Sequence, residues 1–369
     1  MHIPSTALVP GMILAKDLYD RTGILLMSKE TCLTGDAITK LRTREIEAVD
    51  IQAPSPSQRE EQETLLIPQI TAARERVVGI TASIMSDTEN LGDIDPNLLK
   101  GMVGELKEQI ELSANVLLNL SHIKTHDNYL FSHVVNVCVV ALILGRELNL
   151  NPNELRDLGV SALLHDVGMV QIAPQVYDKE APLSTAEWSE IKQHPQYGYE
   201  LLAFTGNFPD AVMRGIIQHH ERLDGSGYPK GLSGTAIDLF GRIIAVADVY
   251  DACISARKYR RQMTPREALQ NLLRMPLQFG KEVLKALVSS MAAYPIGSFV
   301  RLNTGEIAKV VGINRGEPFR PDIQILFDRS GRKMESPIRI NLSENAYVQT
   351  HIAASIEGEE LGEVDRRLE

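Results

Sequence analysis

Apolar residues recur at helical spacing through most of this chain and alternate at strand spacing only toward its ends. The first fifty or so residues read as a strand around 12–18, a turn at 20–23, a strand at 24–27, a helix capped by Thr34 and a strand near 49–51. Residues 53–63, with two prolines, two serines and many charges, read as a linker. Helical patterns follow over 67–86 and 97–125, the second started by Asp95-Pro96. Further helix-like segments lie at 128–148, 152–165, 185–193, 195–204, 210–219, 237–255, 264–275 and 281–292, with no strand pattern between them. Residues 134–144 are almost wholly apolar, which predicts a central helix buried on all sides. Over 298–351, β-branched residues alternate with turn signals at Asn303-Thr304-Gly305 and at 328–331.

The pattern predicts a mainly α protein, a helical bundle with a small N-terminal α/β module and a small C-terminal β-barrel or sheet. The expected divisions are 1–52 for the module, 53–66 for a linker, 67–126 for a stalk or first layer, 127–293 for the bundle, 294–352 for the β unit and 353–369 for a frayed acidic tail.

The 369 residues, 44% of them hydrophobic, suffice for one substantial core plus small flanking units. The start carries no secretory pattern and no run approaches a membrane span, so a cytoplasmic protein without membrane insertion is expected. Acidic side chains outnumber basic ones 48 to 38, and the resulting formal charge of −10 argues against broad attachment to DNA, RNA or anionic lipid. A small anionic substrate would need local cations, which Arg257-Lys258-Tyr259-Arg260-Arg261 offers. Cys32, Cys138 and Cys253 lie too far apart to suggest a disulfide framework or zinc knuckle, and buried reduced thiols are expected. Trp188 and Met213 are expected in the core.

Five of the nine histidines fall within 127–293, the stretch read as the bundle. His133 opens the apolar run, His165-Asp166 closes another, His194 stands at a helix break before Pro195, and His219-His220 closes a third; Asp248 sits within an apolar helix. Any one such histidine reads most simply as a hydrogen-bonded core residue. Buried aspartates are different, because each needs a cationic partner and these helices offer few lysines or arginines. Imidazole with carboxylate suits Fe, Mn, Zn or Co, and the lack of thiolates argues against a structural zinc. A carboxylate can also bridge two cations, and Asp166 beside His165 is the bridging candidate. Two cations so held polarise phosphoryl groups and generate hydroxide from water near neutral pH, which points to phosphate-ester hydrolysis.

Several motifs resemble the HD-GYP domain. These are His165-Asp166-Val167-Gly168, His194-Pro195 with Gly198, His219-His220-Glu221-Arg222-Leu223-Asp224-Gly225-Ser226-Gly227-Tyr228-Pro229, and Ala247-Asp248-Val249-Tyr250-Asp251-Ala252 followed by Arg257-Lys258-Tyr259-Arg260. The resemblance spans about 127–292. It implies an HD-type bundle and a bacterial phosphodiesterase opening cyclic di-GMP to linear pGpG or GMP through hydroxide at two divalent metal ions, Fe or Mn. It further implies that His133, His165, Asp166 and Asp248 hold the first metal and Asp166, His194, His219 and His220 the second, with His165 and Asp166 central to catalysis. Some relatives place a glutamate four residues before the first histidine and bind a third metal; Tyr129 stands there, so two are expected. The implied substrate contacts are Gly227, Tyr228, Arg257 and Arg260. Cyclic di-GMP is the implied partner, and diguanylate cyclase (GGDEF) proteins and a homodimer are compatible with it.

On the residues themselves, Gly225 and Gly227 permit a tight loop that Pro229 stiffens, and Tyr228 is able to stack on a guanine. Asp251, one turn from Asp248, is placed either to orient a ligand histidine or to form an ordinary helix salt bridge. Glu221 and Asp224 carry the same two readings. Relatives usually read His-Asp-x-Gly-Lys, whereas this chain has Met169, which carries no charge. Two alternatives therefore stand beside the phosphodiesterase: a catalytically weak cyclic di-GMP-binding sensor or adaptor, and a phosphohydrolase acting on another nucleotide.

Overall fold

The computed structural model describes residues 2–5, 8, 12–20, 23–44, 46–52, 56–86, 94–121, 129–177, 179, 181–204, 207–255, 262–314, 316–356 and 358–368. The N-terminal module contains β1 (His2–Pro4), β2 (Leu18–Tyr19), β3 (Leu25–Met27), α1 (Gly35–Thr43) and β4 (Ala48–Asp50), with β1 paired to β4 and β2 to β3 as antiparallel ribbons. Thr34 Oγ1 accepts from the Ala37 amide at the start of α1, as its sequence suggests. Leu14, Leu33, Leu41, Val49 and Ile51 form a small core of their own. The strand expected around 12–18 is shorter, reduced to isolated bridges at Ile13 and Leu14 ahead of β2.

Helix α2 (Pro56–Ser86) begins inside the stretch read as a linker. Proline at a first helical position costs nothing, because that N–H has no helical partner. Helix α3 (Pro96–Ser121) follows, its start held by the Asn97 amide donating to Asp95 Oδ1. The bundle proper contains α4 (Tyr129–Glu147), α5 (Pro152–Leu164), α6 (Pro174–Tyr177), α7 (Thr185–Ile191), α8 (His194–Ala203), α9 (Asp210–Gln218), α10 (Leu239–Ile254), α11 (Pro265–Leu273), α12 (Pro276–Phe279) and α13 (Lys281–Ser290). Asn151 with Glu154, Ser184 with Glu187 and Thr264 with Glu267 form reciprocal capping boxes that fix three of these helix starts.

Helix α4 is the central rod. Residues from Val134 to Leu144 are buried along it, and it packs against α2, α3, α5, α10 and α13. Burial on every side explains its almost unbroken apolar sequence. A 3-10 helix, Val167–Gln171, follows α5 and lies against α8.

The C-terminal unit is a five-stranded antiparallel sheet of β5 (Phe299–Leu302), β6 (Ile307–Gly312), β7 (Asp322–Phe327), β8 (Lys333–Asn341) and β9 (Ile352–Ser355), ordered β8-β7-β6-β5-β9. The acidic end does not fray as expected but forms α14 (Gly358–Leu368), which buries Val364 beside Ile307, Phe327 and Ile356. Burial of that apolar side chain opposes the charge repulsion that suggested an unfolded tail.

Two further expectations are corrected. Trp188 is 49% exposed rather than in the core, because α7 is a short surface helix without buried residues, whereas Met213 is buried. Cys32 is exposed, while Cys138 and Cys253 are buried free thiols. No helix among the described residues is long and apolar enough to cross a membrane.

Candidate metal centre

Seven side chains that sequence singles out from five separate stretches meet in the bundle. Asp166, His194, His219 and His220 form one group with ligand atoms within 4.8 Å of one another, and His133, His165 and Asp248 form a second. Asp166 faces both. Its Oδ2 lies 3.3 Å from His165 Nε2, and its Oδ1 lies 3.2 Å from His194 Nε2 and 3.8 Å from His219 Nε2.

Local backbone geometry orients the imidazoles. His165, His194 and His219 each stand at a helix end and donate Nδ1–H to the carbonyl three residues earlier: Ala162 at 2.8 Å, Ile191 at 2.7 Å and Ile216 at 2.6 Å. Helix ends leave such carbonyls without amide partners, so the ring satisfies an acceptor while fixing its own tautomer. Each Nε2 is thereby turned inward with its lone pair exposed. His133 reaches the same end through a carboxylate: its Nδ1 lies 2.6 Å from Asp251 Oδ2, and its Nε2 lies 3.2 Å from Asp248 Oδ1.

This donor arrangement fits divalent cations. His165 Nε2 is fully buried and makes no hydrogen bond. His194 Nε2 and His219 Nε2 stand 3.1 Å apart, and with Nδ1 protonated on both rings two lone pairs face one another and the Asp166 carboxylate. Only a proton or a cation between such atoms makes that arrangement favourable. Nitrogen and carboxylate donors without a thiolate suit Fe, Mn, Zn or Co.

Electrostatics separate the two groups. Burial, and then the neighbouring imidazoles, hold His219 and His220 well below the usual histidine range. Burial works against the charged form of His133 too, but hydrogen bonds to Asp248 and Asp251 outweigh it and raise that histidine well above its ordinary value. Burial also opposes the charged form of His165, and the negative charge of Asp166 beside it outweighs that and raises it. Burial opposes ionisation of both aspartates, yet His165 and His194 hold Asp166 well below the carboxylate range, and His133 holds Asp248 at about 2.

The Gly-Tyr-Pro loop closes over the second group. Tyr228 stacks on His220 with ring centroids 4.6 Å apart, and Lys192 Nζ lies over the tyrosine ring, 5.6 Å from its centre. Glu221, buried, accepts from the Lys230 amide at 2.7 Å and the Leu232 amide at 2.9 Å, so it clamps this loop and has no helix salt bridge among the described residues. Asp224 accepts from the Ser226 amide and hydroxyl within the loop. Glycine is required at 227, where a Cβ would fall 2.4 Å from the Arg222 nitrogen and 2.5 Å from the His220 oxygen. Gly168 is equally constrained, its Cβ position being 2.0 Å from the His194 carbonyl oxygen; that contact keeps Asp166 beside His194.

Among the sequence candidates, His133, His165, Asp166, His194, His219, His220 and Asp248 come together, with Tyr228 and Gly227 beside them. Arg257 and Arg260 lie outside the described residues. Sequence reading missed Arg74, Asn136 and Lys192. Arg74 carried a signal, as a cation among the buried Ile70, Ala73 and Val77 of one helix face.

Residues 115–283 match the HD domain family, and residues 299–363 match the KOW domain associated with HD domain. The chain is 30% identical over 274 residues to cyclic di-GMP phosphodiesterase PA4108 of Pseudomonas aeruginosa, covering 74% of this chain and 66% of that protein. It is 32% identical over 204 residues to cyclic di-GMP phosphodiesterase PdeB of Borreliella burgdorferi, covering 55% and 54%. It is also 33% identical over 188 residues to 3'3'-cGAMP-specific phosphodiesterase 1 of Vibrio cholerae, covering 50% and 43%. In each case the match spans less than two thirds of the relative's own length. With its histidine-aspartate cluster and Gly-Tyr-Pro loop, the chain belongs to the HD-GYP family.

Proposed function

We propose that this chain hydrolyses cyclic di-GMP to pGpG, GMP or both, at two divalent cations held by His133, His165, Asp166 and Asp248 on one side and Asp166, His194, His219 and His220 on the other. The observation that carries this reading is Asp166, whose two carboxylate oxygens face two different imidazole groups. Similarity to proteins named as cyclic di-GMP phosphodiesterases supports the substrate. Iron or manganese suits the donor set.

When bound, the cations supply Lewis-acid activation of the phosphoryl group and lower the pKa of water. The protein's own part is orientation. Backbone carbonyls hold the rings of His165, His194 and His219 in the tautomer that presents Nε2, and Asp251 does so for His133. Depressed proton affinity keeps His219 and His220 neutral near pH 7, so these rings are ready to donate lone pairs. Tyr228 presents a ring face at the mouth for a base, and Glu221 fixes the loop that carries it.

Met169 favours a second reading, a binding module that retains the dinucleotide without rapid turnover. It lies one 3-10 turn beyond Asp166, after Val167 and Gly168, its amide donating to the Asp166 carbonyl at 2.9 Å, yet its thioether offers neither charge nor proton. Purified protein reconstituted anaerobically with iron or manganese and incubated with cyclic di-GMP separates the two. Linear products support hydrolysis; tight binding with no product under either metal supports the sensor. Turnover of other cyclic dinucleotides in preference to cyclic di-GMP would replace the substrate assignment.

A further inference from the structure

A buried polar chain links the cation centre to a helix that precedes the matched HD domain. Arg74 lies on α2, outside residues 115–283, and is 6% exposed. Its NH2 donates to Asn136 Oδ1 at 2.9 Å. Asn136 Nδ2 donates to Asp251 Oδ1 at 3.0 Å, and Asp251 Oδ2 takes the His133 Nδ1 at 2.6 Å. His133 Nε2 then faces Asp248. Asn136, Asp251 and His133 are all buried.

Only one orientation of the Asn136 amide satisfies both neighbours, because a guanidinium can only donate and a carboxylate can only accept. Arg74 consumes the amide oxygen and so commits the NH2 to Asp251. Without the guanidinium that orientation loses its anchor, and a flipped amide would set oxygen against carboxylate in a buried place where the repulsion is poorly screened. Asp251 would then lose part of the bonding that aims His133.

We propose that Arg74 is a positioning residue for the cation group containing His133, acting through Asn136 and Asp251, and that α2 thereby lets the preceding N-terminal module influence cation affinity. This inference rests on the two-cation reading above. The chain of donors is directional, so its effect is confined to one group: no hydrogen bond in it touches His194, His219 or His220. Since α2 follows the module's β4 and Ile51 after a few residues, a shift of the helix axis alters the Arg74–Asn136 contact.

The test is titration of metal-free, full-length protein with Mn²⁺, counting bound ions by electron paramagnetic resonance, for wild type, Arg74→Met and Arg74→Lys. Wild type is expected to bind two ions. Arg74→Met is expected to weaken one of them by about 10- to 100-fold, the range for loss of a partner behind a ligand, and to leave the other unchanged. Arg74→Lys should recover part of the loss, and should carry the test by itself if Arg74→Met does not fold by circular dichroism. In an Asp251→Ala background, Arg74→Met should add nothing. Two unaltered sites, equal weakening of both, or additive losses with Asp251→Ala would overturn the proposal. Wild type binding no Mn²⁺ or Fe²⁺ would instead remove the two-cation reading itself.

Discussion

Asp251 Oδ2 lies 2.6 Å from His133 Nδ1, and this pair sets one imidazole for the cation centre without a backbone carbonyl. The three histidines at helix ends borrow a carbonyl from their own turn, but His133 sits inside α4, where carbonyls are used by the helix. A carboxylate from the facing α10 takes the same role. Replacing Asp251 with asparagine is therefore expected to lower affinity at the His133 group by about tenfold, while His194, His219 and His220 keep theirs. Metal content after dialysis against graded chelator checks this, and equal loss from both groups would contradict it.

The opposite proton affinities of the two groups give a pH prediction. In metal-free protein His133 and His165 keep a proton to higher pH than an ordinary histidine, since the neighbouring carboxylates raise them against burial, whereas burial makes His219 and His220 lose theirs at lower pH. A cation entering the His133 group must displace protons, so affinity there rises with pH; entry at the His219 and His220 side displaces few. Calorimetric titration at pH 7 in buffers of different ionisation enthalpy should register proton release for one binding event and little for the other. Equal release would go against the assignment.

Glu221 ties two amides of the loop that carries Tyr228. Glu221→Gln leaves one amide facing an NH2 group, and loop order is expected to suffer before metal binding does. KM for cyclic di-GMP should rise roughly tenfold, equivalent to ~1.4 kcal/mol, with metal content unchanged. A drop in metal content instead of a KM change would assign Glu221 to the cation centre.

Introducing a lysine at position 169 restores the charge that the family pattern places after the glycine. Met169→Lys is expected to raise kcat about tenfold, close to 1.4 kcal/mol of transition-state stabilisation, with KM little altered. No change in kcat would show that this chain draws that stabilisation from other groups.

The bundle and the cation centre were legible because both are written in residue types that have few other uses. An eleven-residue apolar run can only be buried, and aspartates flanking such runs can only be there with partners, so His133, His165, Asp166, His194, His219, His220 and Asp248 could be named together. Three things were not legible. The α2 start at Pro56 lay in a stretch rich in Pro, Ser and charge, a composition that suits a helix N-terminus as well as a linker. Helix α14 depends on packing against the sheet, since Val364 finds its partners at Ile307 and Phe327, far earlier in the chain. Glu221 and Arg74 work through backbone amides and a side-chain amide, contacts that leave no spacing rule in the sequence.

Asp166 facing both imidazole groups is the centre of the account, and counting metals in Asp166→Ala tests it most directly. Wild-type protein purified without oxygen is expected to carry two iron or manganese ions per chain, and Asp166→Ala to lose both together with hydrolysis of cyclic di-GMP. Two ions still bound in the folded variant would contradict the bridging role.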